Sequence, residues 1–209
     1  MTAVRTRDRI LDAGRLLFNR DGLAGVTTHR IATELGVSQG NLHYHFRTRE
    51  AIVTALFRRF ESRLSACIES HADADALDDW WLTLHLTYEV IDEYQFVYRD
   101  VAYLLTEYPA LESDLQALTA RQLVATRNQM QRLRSAAVLR MNEEDAEMLA
   151  LQLVFSMTCW TTFKRMMPKR PKGHSDAALA TYYTLTLLSP FVSEPSRPYL
   201  DYLRHKYVS

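Results

Sequence analysis

A short polar stretch near the N-terminus carries the side chains best suited to recognise another molecule. The segment QGNLHYHF begins at Gln39 and has few apolar side chains with which to hold a helix to the body of the protein. The amides of Gln39 and Asn41 can donate and accept hydrogen bonds together, which suits the edges of DNA bases. The imidazole of His43 and the phenol of Tyr44 suit phosphate groups, and Gly40 allows a close approach. These residue types predict a helix that binds DNA.

Two short helices joined by a tight turn must position these side chains. The first begins at Thr27 or Thr28, whose hydroxyls can accept a backbone N–H bond at a helix N-terminus. It ends at Gly36, because glycine tolerates the left-handed conformation there. Ser38 then caps the polar helix, so the segment has the pattern of a helix-turn-helix motif, which also occurs as a solvated helix pair in proteins that bind no DNA. We expect Thr28, Ser38 and Arg49 to contact phosphates and to fix the motif on a duplex.

The same stretch resembles the DNA-binding domain of the TetR family of bacterial transcriptional regulators. The matching residues are Thr28, Ile31, Ala32, Gly36, Val37, Ser38, Gly40, Leu42, Phe46, Arg49 and Glu50. An upstream helix that ends in FNRDG, at residues 18–22, is also similar to the first helix of the family. Two residues depart from the family pattern, since His43 stands at a usual tyrosine and Arg49 at a usual lysine. Both retain a polar or cationic group, and the resemblance covers about the first quarter of the chain.

The chain is predicted to be all-α. Only six glycines and six prolines among 209 residues favour long helices over many turns, and 47% hydrophobic with 24% charged residues fits a globular protein. From the periodicity and the resemblance together, we expect a three-helix helix-turn-helix DNA-binding domain over residues 1–50. A helical regulatory domain that binds a ligand and dimerises is expected over residues 51–209. A long fourth helix that begins at Thr48 is expected to join the two.

Charge and cysteine content narrow the partners and the compartment. The net charge is zero, but residues 1–63 hold 11 Arg against 6 acids, and residues 64–209 hold 14 basic residues against 19 acids. The N-terminal part is therefore the one expected to bind a polyanion. Cys67 and Cys159 are too few for a disulfide framework, and no apolar run is long enough to span a membrane. We expect a cytoplasmic protein with no membrane partner.

Aromatic side chains are concentrated in a helical span that follows Leu77. Interleaved with acids, they fit either a helical core with tyrosine rings at its rim or the wall of a pocket for a small molecule. The family resemblance favours the pocket, because TetR-family C-terminal domains commonly bind an inducer among helices of this region. The residues expected at a hydrophobic or aromatic ligand are Trp80, His85, Tyr88, Glu89, Tyr103, Phe155, Cys159, Trp160 and Phe163.

Two later helices, over about residues 142–166 and 175–190, are apolar nearly all round. A helix that is apolar on every side is buried on every side, which in a domain of this size indicates a partner chain. We therefore expect these helices to pair with their copies across a two-fold axis in a homodimer. The residues predicted at this interface are Leu153, Val154, Met157, Tyr182 and Leu185.

These features predict a DNA-binding transcriptional regulator, a repressor released from double-stranded operator DNA by a small hydrophobic or aromatic ligand. The alternative is a DNA-binding interaction protein whose C-terminal domain binds a protein partner and no inducer. An enzyme is not expected, since no nucleophile elbow, P-loop or dinucleotide fingerprint occurs in the sequence. No cofactor or metal is expected either, because His43 and His45 are two residues apart on a helix and point to different faces.

Overall fold

The computed structural model describes residues 3–70, 77–168 and 175–205. These residues form eleven α-helices and two short 3-10 helices, and no β-strand occurs among them. The α-helices are Ala3–Asp21 (α1), Thr28–Leu35 (α2), Gln39–His45 (α3), Arg49–Ser70 (α4), Leu77–Glu93 (α5), Phe96–Arg99 (α6), Val101–Glu107 (α7), Glu112–Ser135 (α8), Glu143–Met166 (α9), Asp176–Leu188 (α10) and Arg197–His205 (α11). The 3-10 helices are Pro109–Leu111 and Glu194–Ser196. The all-α prediction is confirmed, and within the described ranges no helix is long and apolar enough to cross a membrane.

Local hydrogen bonds define the two helices of the predicted motif. Thr27, rather than Thr28, caps α2, since its hydroxyl accepts from the backbone N–H of Arg30 at 3.2 Å. Gly36 ends α2 with φ 65°, a left-handed conformation that a side chain would strain. The Ser38 hydroxyl accepts from the backbone N–H of Asn41 at 3.2 Å and starts α3. The helix-turn-helix therefore forms where capping residues and a glycine allow it.

One compact unit comprises the described residues up to Ser62 together with Glu93–Leu115. Its core is built from apolar side chains of α1, α2, α3, α4 and α6, including the fully buried Ile10, Phe18, Ile31, Leu42, Phe57, Phe60 and Phe96. By packing, the N-terminal unit thus contains the first part of α4 and the helices α6 and α7 in addition to the helix-turn-helix. The functional division at residue 50 stays a prediction.

The second compact unit comprises the described residues of Arg63–Asp92 and Gln116–Ser209. It contains the C-terminal part of α4, nearly all of α5, most of α8, and the whole of α9, α10 and α11. The ammonium of Lys164 is buried in this unit, and it donates to Asp92 at 2.8 Å and to Asp176 at 2.6 Å. Because these three residues belong to α9, α5 and α10, the ion pairs hold the ends of three helices together.

The helix α4 is a single continuous element that contributes to both units. Its first fourteen residues, from Arg49 to Ser62, pack in the first unit, and the rest of the helix packs in the second. Within the first unit its buried stripe is Ile52, Leu56 and Phe60, which recur every four residues as a helix requires.

Candidate DNA-binding surface and ligand cavity

The helix α3 is attached to its unit by few side chains and exposes the rest. Leu42 of α3 and Phe46, the first residue after α3, are buried, and the guanidinium of Arg7 lies 4.8 Å from the centre of the Phe46 ring. Asn41 is exposed, and the ring of Tyr44 is 80% exposed. Its ring meets only the edge of the neighbouring His45 ring among the described aromatic contacts, at 5.1 Å between centroids, so most of the phenol is available to a partner.

Gly40 has no structural reason to be a glycine within the described residues. A Cβ atom built at this position would meet no heavy atom within 4 Å, and its backbone φ is that of an ordinary helix. The open space lies on the exposed side of α3, beside Asn41 and Tyr44. A glycine at this point lets another molecule approach the helix backbone closely.

A chain of hydrogen bonds fixes the side chains of Gln39 and His43. Gln39 Nε2 donates to Thr28 Oγ1 at 3.0 Å and lies 3.0 Å from His43 Nε2, while His43 Nδ1 lies 3.1 Å from the backbone oxygen of Arg47. A carbonyl oxygen can only accept, so His43 must carry its proton on Nδ1. Its Nε2 then accepts from Gln39, and both amide hydrogens of Gln39 are used within the protein.

This network changes the roles expected for three predicted residues. Thr28, Gln39 and His43 lie together as predicted, but their polar groups bond to one another across α2 and α3. The Oε1 atom of Gln39 is buried as well. The network therefore sets the spacing of the two helices, and Asn41 is left as the exposed amide on α3.

Arg49 occupies an aromatic site inside the first unit. Its guanidinium donates to the backbone oxygen of Leu23 and, at 3.2 Å, to the hydroxyl of Tyr103. The rings of Phe18, Tyr103 and Tyr108 lie around it, with centroids 5.9, 5.7 and 5.8 Å from the guanidinium carbon. A planar guanidinium can stack and donate twice in such a site, which a lysine ammonium cannot do. In this arrangement Arg49 anchors the start of α4 and does not reach out to a phosphate.

A second set of contacts, which sequence reasoning missed, holds α1 in place. Asn19 Nδ2 donates to the backbone oxygen of Glu93 at 2.7 Å, and Asn19 Oδ1 accepts from the backbone N–H of Phe96 at 3.2 Å. Arg99 donates to the backbone oxygen of Phe18 at 2.7 Å. The carboxylate of Asp100 accepts from the backbone N–H of Leu23 at 2.8 Å. The FNRDG segment at the end of α1 is thus positioned by α6 and its flanks, a long-range pairing that periodicity does not encode.

Ion pairs reduce the positive charge that the N-terminal unit can offer. Arg30 pairs with Asp21 at 3.0 Å, and Arg59 pairs with Asp8 and Asp12. The hydrogen bond from Arg20 lowers the pKa of the Asp21 carboxyl, so this acid stays ionised beside its arginines. Four exposed arginines of this unit have no carboxylate partner within the described residues: Arg5, Arg7, Arg9 and Arg47. Arg47 lies two residues after the end of α3, and it was not predicted from the sequence.

The second unit contains a cavity of about 420 Å³, a size typical of small-molecule sites. It is bounded by the last turn of α4 and by α5, α8 and α9. Its apolar wall includes Ile68, Trp80, Leu84 and Met157, and its buried polar groups are Thr87, Gln122 and Gln129. Of the residues expected at a ligand, Trp80 is the one that lines this cavity.

The other predicted ligand residues lie elsewhere. His85 stacks on Trp81 with 6.0 Å between ring centroids and lies 3.3 Å from the carboxylate of Glu89. Glu89 lines a second, smaller pocket of about 240 Å³. Tyr88 is buried, its hydroxyl lies 2.6 Å from that of Thr184, and burial raises the pKa of its phenol. The remaining residues are Trp160, whose ring packs near Tyr88, Tyr103 in the first unit, the half-buried Cys159, and the exposed Phe155 and Phe163.

The apolar side chains that α9 exposes are not the ones predicted at a dimer interface. Leu153, Val154, Met157 and Leu185 are buried within the unit itself, and Tyr182 is half-buried. A different stripe of large apolar side chains is exposed on α9, at helical spacing: Met148, Leu151, Phe155, Phe163 and Met166. On α10, Tyr183 and Leu187 are also exposed, one turn apart. The rings of Trp160 and Tyr183 pack 5.9 Å apart, so α9 and α10 are neighbours.

Two family models match successive parts of the chain. A model described as bacterial regulatory proteins of the tetR family matches residues 10–56, which include the helix-turn-helix. A model described as a bacterial transcriptional repressor matches residues 59–200, more than half of the chain. Both compact units are therefore covered by family models.

Individual relatives agree with these matches. The probable HTH-type transcriptional regulator YttP of Bacillus subtilis (strain 168) is 22% identical over 151 residues, which cover 72% of this chain and 70% of that protein. The class D tetracycline repressor of Escherichia coli is 36% identical over 50 residues, only 24% of this chain and 23% of the repressor. A solved structure of a TetR-family transcriptional regulator from Marinobacter aquaeolei VT8 has a TM-score of 0.86 and 28% identity, with 100% of both chains covered.

Proposed function

Because this chain belongs to the TetR family of bacterial transcriptional regulators, we propose that it is a homodimeric repressor that leaves its operator when a small, mostly apolar ligand binds. The observation that carries the proposal is the course of α4. This helix begins shortly after the recognition helix, with Arg49 anchored in the first unit, and its last turn places Ile68 at the cavity of the second unit. A ligand in the cavity therefore touches the same helix whose other end supports the DNA-binding surface.

In this proposal α3 enters the major groove of operator DNA. Asn41 reads base edges, since its amide is exposed on the outer face of the helix. Tyr44 lies beside the duplex, and Gly40 admits the DNA closely. Arg47 is the cation best placed to contact phosphate next to α3.

The remaining predicted DNA residues act through the motif's internal geometry. Thr28, Gln39 and His43 keep α2 and α3 at a fixed spacing through their hydrogen bonds. Ser38 caps α3 and so directs the first turn of this helix. Arg49 fixes the start of α4 through its two hydrogen bonds. In this proposal it has that role instead of the phosphate contact expected from the sequence.

Dimerisation uses the exposed stripe on α9 with the exposed side chains of α10. Contiguous apolar side chains on a helix are costly in water and mark an interaction surface. Paired with its copy across a two-fold axis, the α9–α10 pair makes a four-helix interface. The dimer places two recognition helices about 34–36 Å apart, which requires a near-palindromic operator.

The cavity favours a ligand-controlled repressor over the alternative of a regulator controlled by a protein partner. The ligand shifts the dimer away from its DNA-binding arrangement only by the difference between its affinities for the two arrangements. Loss of operator binding and ligand occupancy should therefore follow the same concentration dependence.

Fluorescence anisotropy of a labelled operator duplex tests the DNA-binding surface. Asn41→Ala should alter base preference at one position of each half-site, with a cost of about 1–3 kcal/mol for the preferred base. Arg47→Ala should weaken binding to all duplexes alike and reduce the salt slope by about one. Arg20→Ala is the matched control, because Arg20 is already paired with Asp21. Unchanged operator binding by both test variants would refute the assignment of α3.

A further inference from the structure

One face of α8 lines the cavity of the second unit and carries most of its hydrogen-bonding groups. Gln122, Ala125, Gln129 and Arg132 follow one another at three or four residues along this helix, so they lie on the same side of it. Before this stretch the same face is apolar, and Leu118 is fully buried there. The face thus turns from apolar to polar at the cavity and ends on a cation.

The guanidinium of Arg132 brings a positive charge into the cavity wall. The residue as a whole is half-buried, and its terminal nitrogen Nη1 is buried. A guanidinium carries five N–H donors in a planar fork that matches the two oxygens of a carboxylate. Arg132 can therefore bind an anion with two donors and keep its contacts to the protein with the others.

The other charged side chains that line the cavity, within the described ranges, are Glu69 and Arg121, and both are exposed. Water and salt screen charges at such positions, whereas a buried nitrogen acts through a medium of lower dielectric constant. With Arg132 the lining holds two cations and one anion. Both this balance and the burial of Arg132 Nη1 favour an anionic ligand group over a cationic one.

Gln129 supplies a further donor beside Arg132. The two residues are three positions apart on one helix, so their side chains are neighbours, and Gln129 is 7% exposed. An amide N–H that donates to a carboxylate forms a charge-assisted hydrogen bond, which is about twice as strong as a neutral one. Arg132 and Gln129 together suit a carboxylate better than an uncharged polar group.

The rest of the cavity suits an apolar body. Trp80, Leu84 and Met157 line it and are buried. Ala125 lies seven residues before Arg132, about 10 Å along the helix axis, and its small side chain leaves room against the helix. A molecule that reaches from Arg132 to Ala125 therefore meets a charged group at one end and apolar surface along its length.

We propose that the cavity binds an amphipathic monocarboxylate, with its carboxylate at Arg132 and Gln129 and its apolar body against Trp80, Leu84 and Met157. This inference rests on the proposed function, because it names the chemical class of the ligand that releases the operator. A carboxylate beside the guanidinium gains a counter-charge when it loses its water. An ammonium group at the same place would meet a like charge.

Two trios of probes test the ligand class by isothermal titration calorimetry with the full-length protein at neutral pH. The aromatic trio is biphenyl-4-carboxylate, biphenyl-4-carboxamide and 4-phenylbenzylammonium, and the aliphatic trio is octanoate, octanamide and octylammonium. Within a trio the apolar body is constant and the head group is anionic, neutral or cationic. In at least one trio the carboxylate should bind about ten- to hundredfold tighter than the carboxamide, and the ammonium should bind most weakly. A carboxamide that equals its carboxylate, an ammonium that binds tightest, or no binding by any probe overturns the proposal.

Variants of the two lining arginines test the position of the carboxylate. Arg132→Met should bring the affinity for the carboxylate down to that for the carboxamide, and Arg132→Lys, which keeps the charge but loses the fork, should retain part of the preference. The readout is the ratio of the two affinities, because a general change in the cavity alters both probes together. If Arg132→Met does not fold, Arg132→Gln takes its place.

Arg121→Met is the matched control, since Arg121 lines the cavity from an exposed position three helical turns before Arg132. It should change the ratio by no more than about twofold. A wild-type ratio in the variants of Arg132, or an equal loss of the ratio in Arg121→Met, shows that Arg132 does not hold the carboxylate, and the proposal fails.

Operator binding separates this inference from the function on which it rests. If the carboxylates bind in the expected order through Arg132 but none releases the operator duplex, the ligand class stands and the ligand-released repressor does not. If only the carboxamides or the ammonium probes bind and release the duplex, the repressor stands and the ligand class is wrong.

Discussion

Phe155 offers the sharpest test of the α9 interface. Its side chain is 66% exposed in the single chain and lies at the centre of the exposed stripe on α9. Complete burial of a phenylalanine contributes about 1.5–3 kcal/mol, so burying the exposed two-thirds contributes about 1–2 kcal/mol. In a two-fold dimer each substitution counts twice, which gives about 2–4 kcal/mol per dimer. Phe155→Ala should therefore weaken dimerisation about 30-fold to several-hundred-fold.

Sedimentation equilibrium over nanomolar to micromolar protein measures this change as a dimer dissociation constant. Leu16→Ala is the matched control, because Leu16 is 60% exposed on α1, which belongs to the first unit, and should leave the constant unchanged. Leu153→Ala tests a residue of the protein's own core instead of the interface. Because this side chain is buried within the unit, its loss should lower the free energy of unfolding by about 2–5 kcal/mol. A dissociation constant for Phe155→Ala within about twofold of wild type, or an equal loss in Leu16→Ala, refutes the reasoning.

Three further variants test the packing that positions the two sites, each measured by thermal or denaturant unfolding. Arg49→Lys should destabilise the first unit by about 1–3 kcal/mol, because lysine cannot keep both hydrogen bonds and the ring contacts. Full stability together with weaker DNA binding would instead indicate that Arg49 contacts a phosphate. Gly36→Ala should cost about 1–2 kcal/mol at φ 65°, and an unchanged melting temperature would contradict that strain. Lys164→Met should cost about 1–3 kcal/mol, less than a fully buried pair because Asp92 is 42% exposed, and a stabilised variant would show that the ion pairs are not needed.

Features set by neighbouring residues were predictable from the sequence. The helix-turn-helix follows from hydrogen bonds that span three or four residues, such as the Ser38 cap, and from the left-handed glycine at position 36. The family resemblance rests on this same local stretch. The long α4 was predictable from its four-residue apolar period.

The sites themselves depend on contacts between distant residues, which periodicity does not specify. Arg49 meets the backbone of Leu23 and the hydroxyl of Tyr103, which are 26 and 54 residues away. An arginine at a helix start looks the same in sequence whether it faces phosphate or an aromatic site. Helical spacing placed Phe155 on a face of α9, but it could not tell which face meets the protein's own core.

Most side chains that line the cavity of the second unit were not predicted from the sequence, for a related reason. The predicted ligand residues are mainly aromatic, because aromatic side chains have large apolar surfaces. Most of them pack in the core or lie exposed, outside the cavity. Two of the buried lining residues are Gln122 and Gln129, which resemble ordinary polar positions of a solvated helix in the sequence. They are buried because α5 and α9 pack against α8, and the sequence of α8 alone does not specify this packing.

The most direct test of the central claim, a dimer that reads DNA through α3, is selection of bound duplexes from a random pool by the purified protein. The expected result is a near-palindromic site with half-site centres about one helical turn, 10–10.5 base pairs, apart. Asn41→Ala should also change the preferred base at one position in each half-site. Enrichment of no sequence, or of a single half-site without symmetry, would contradict the claim.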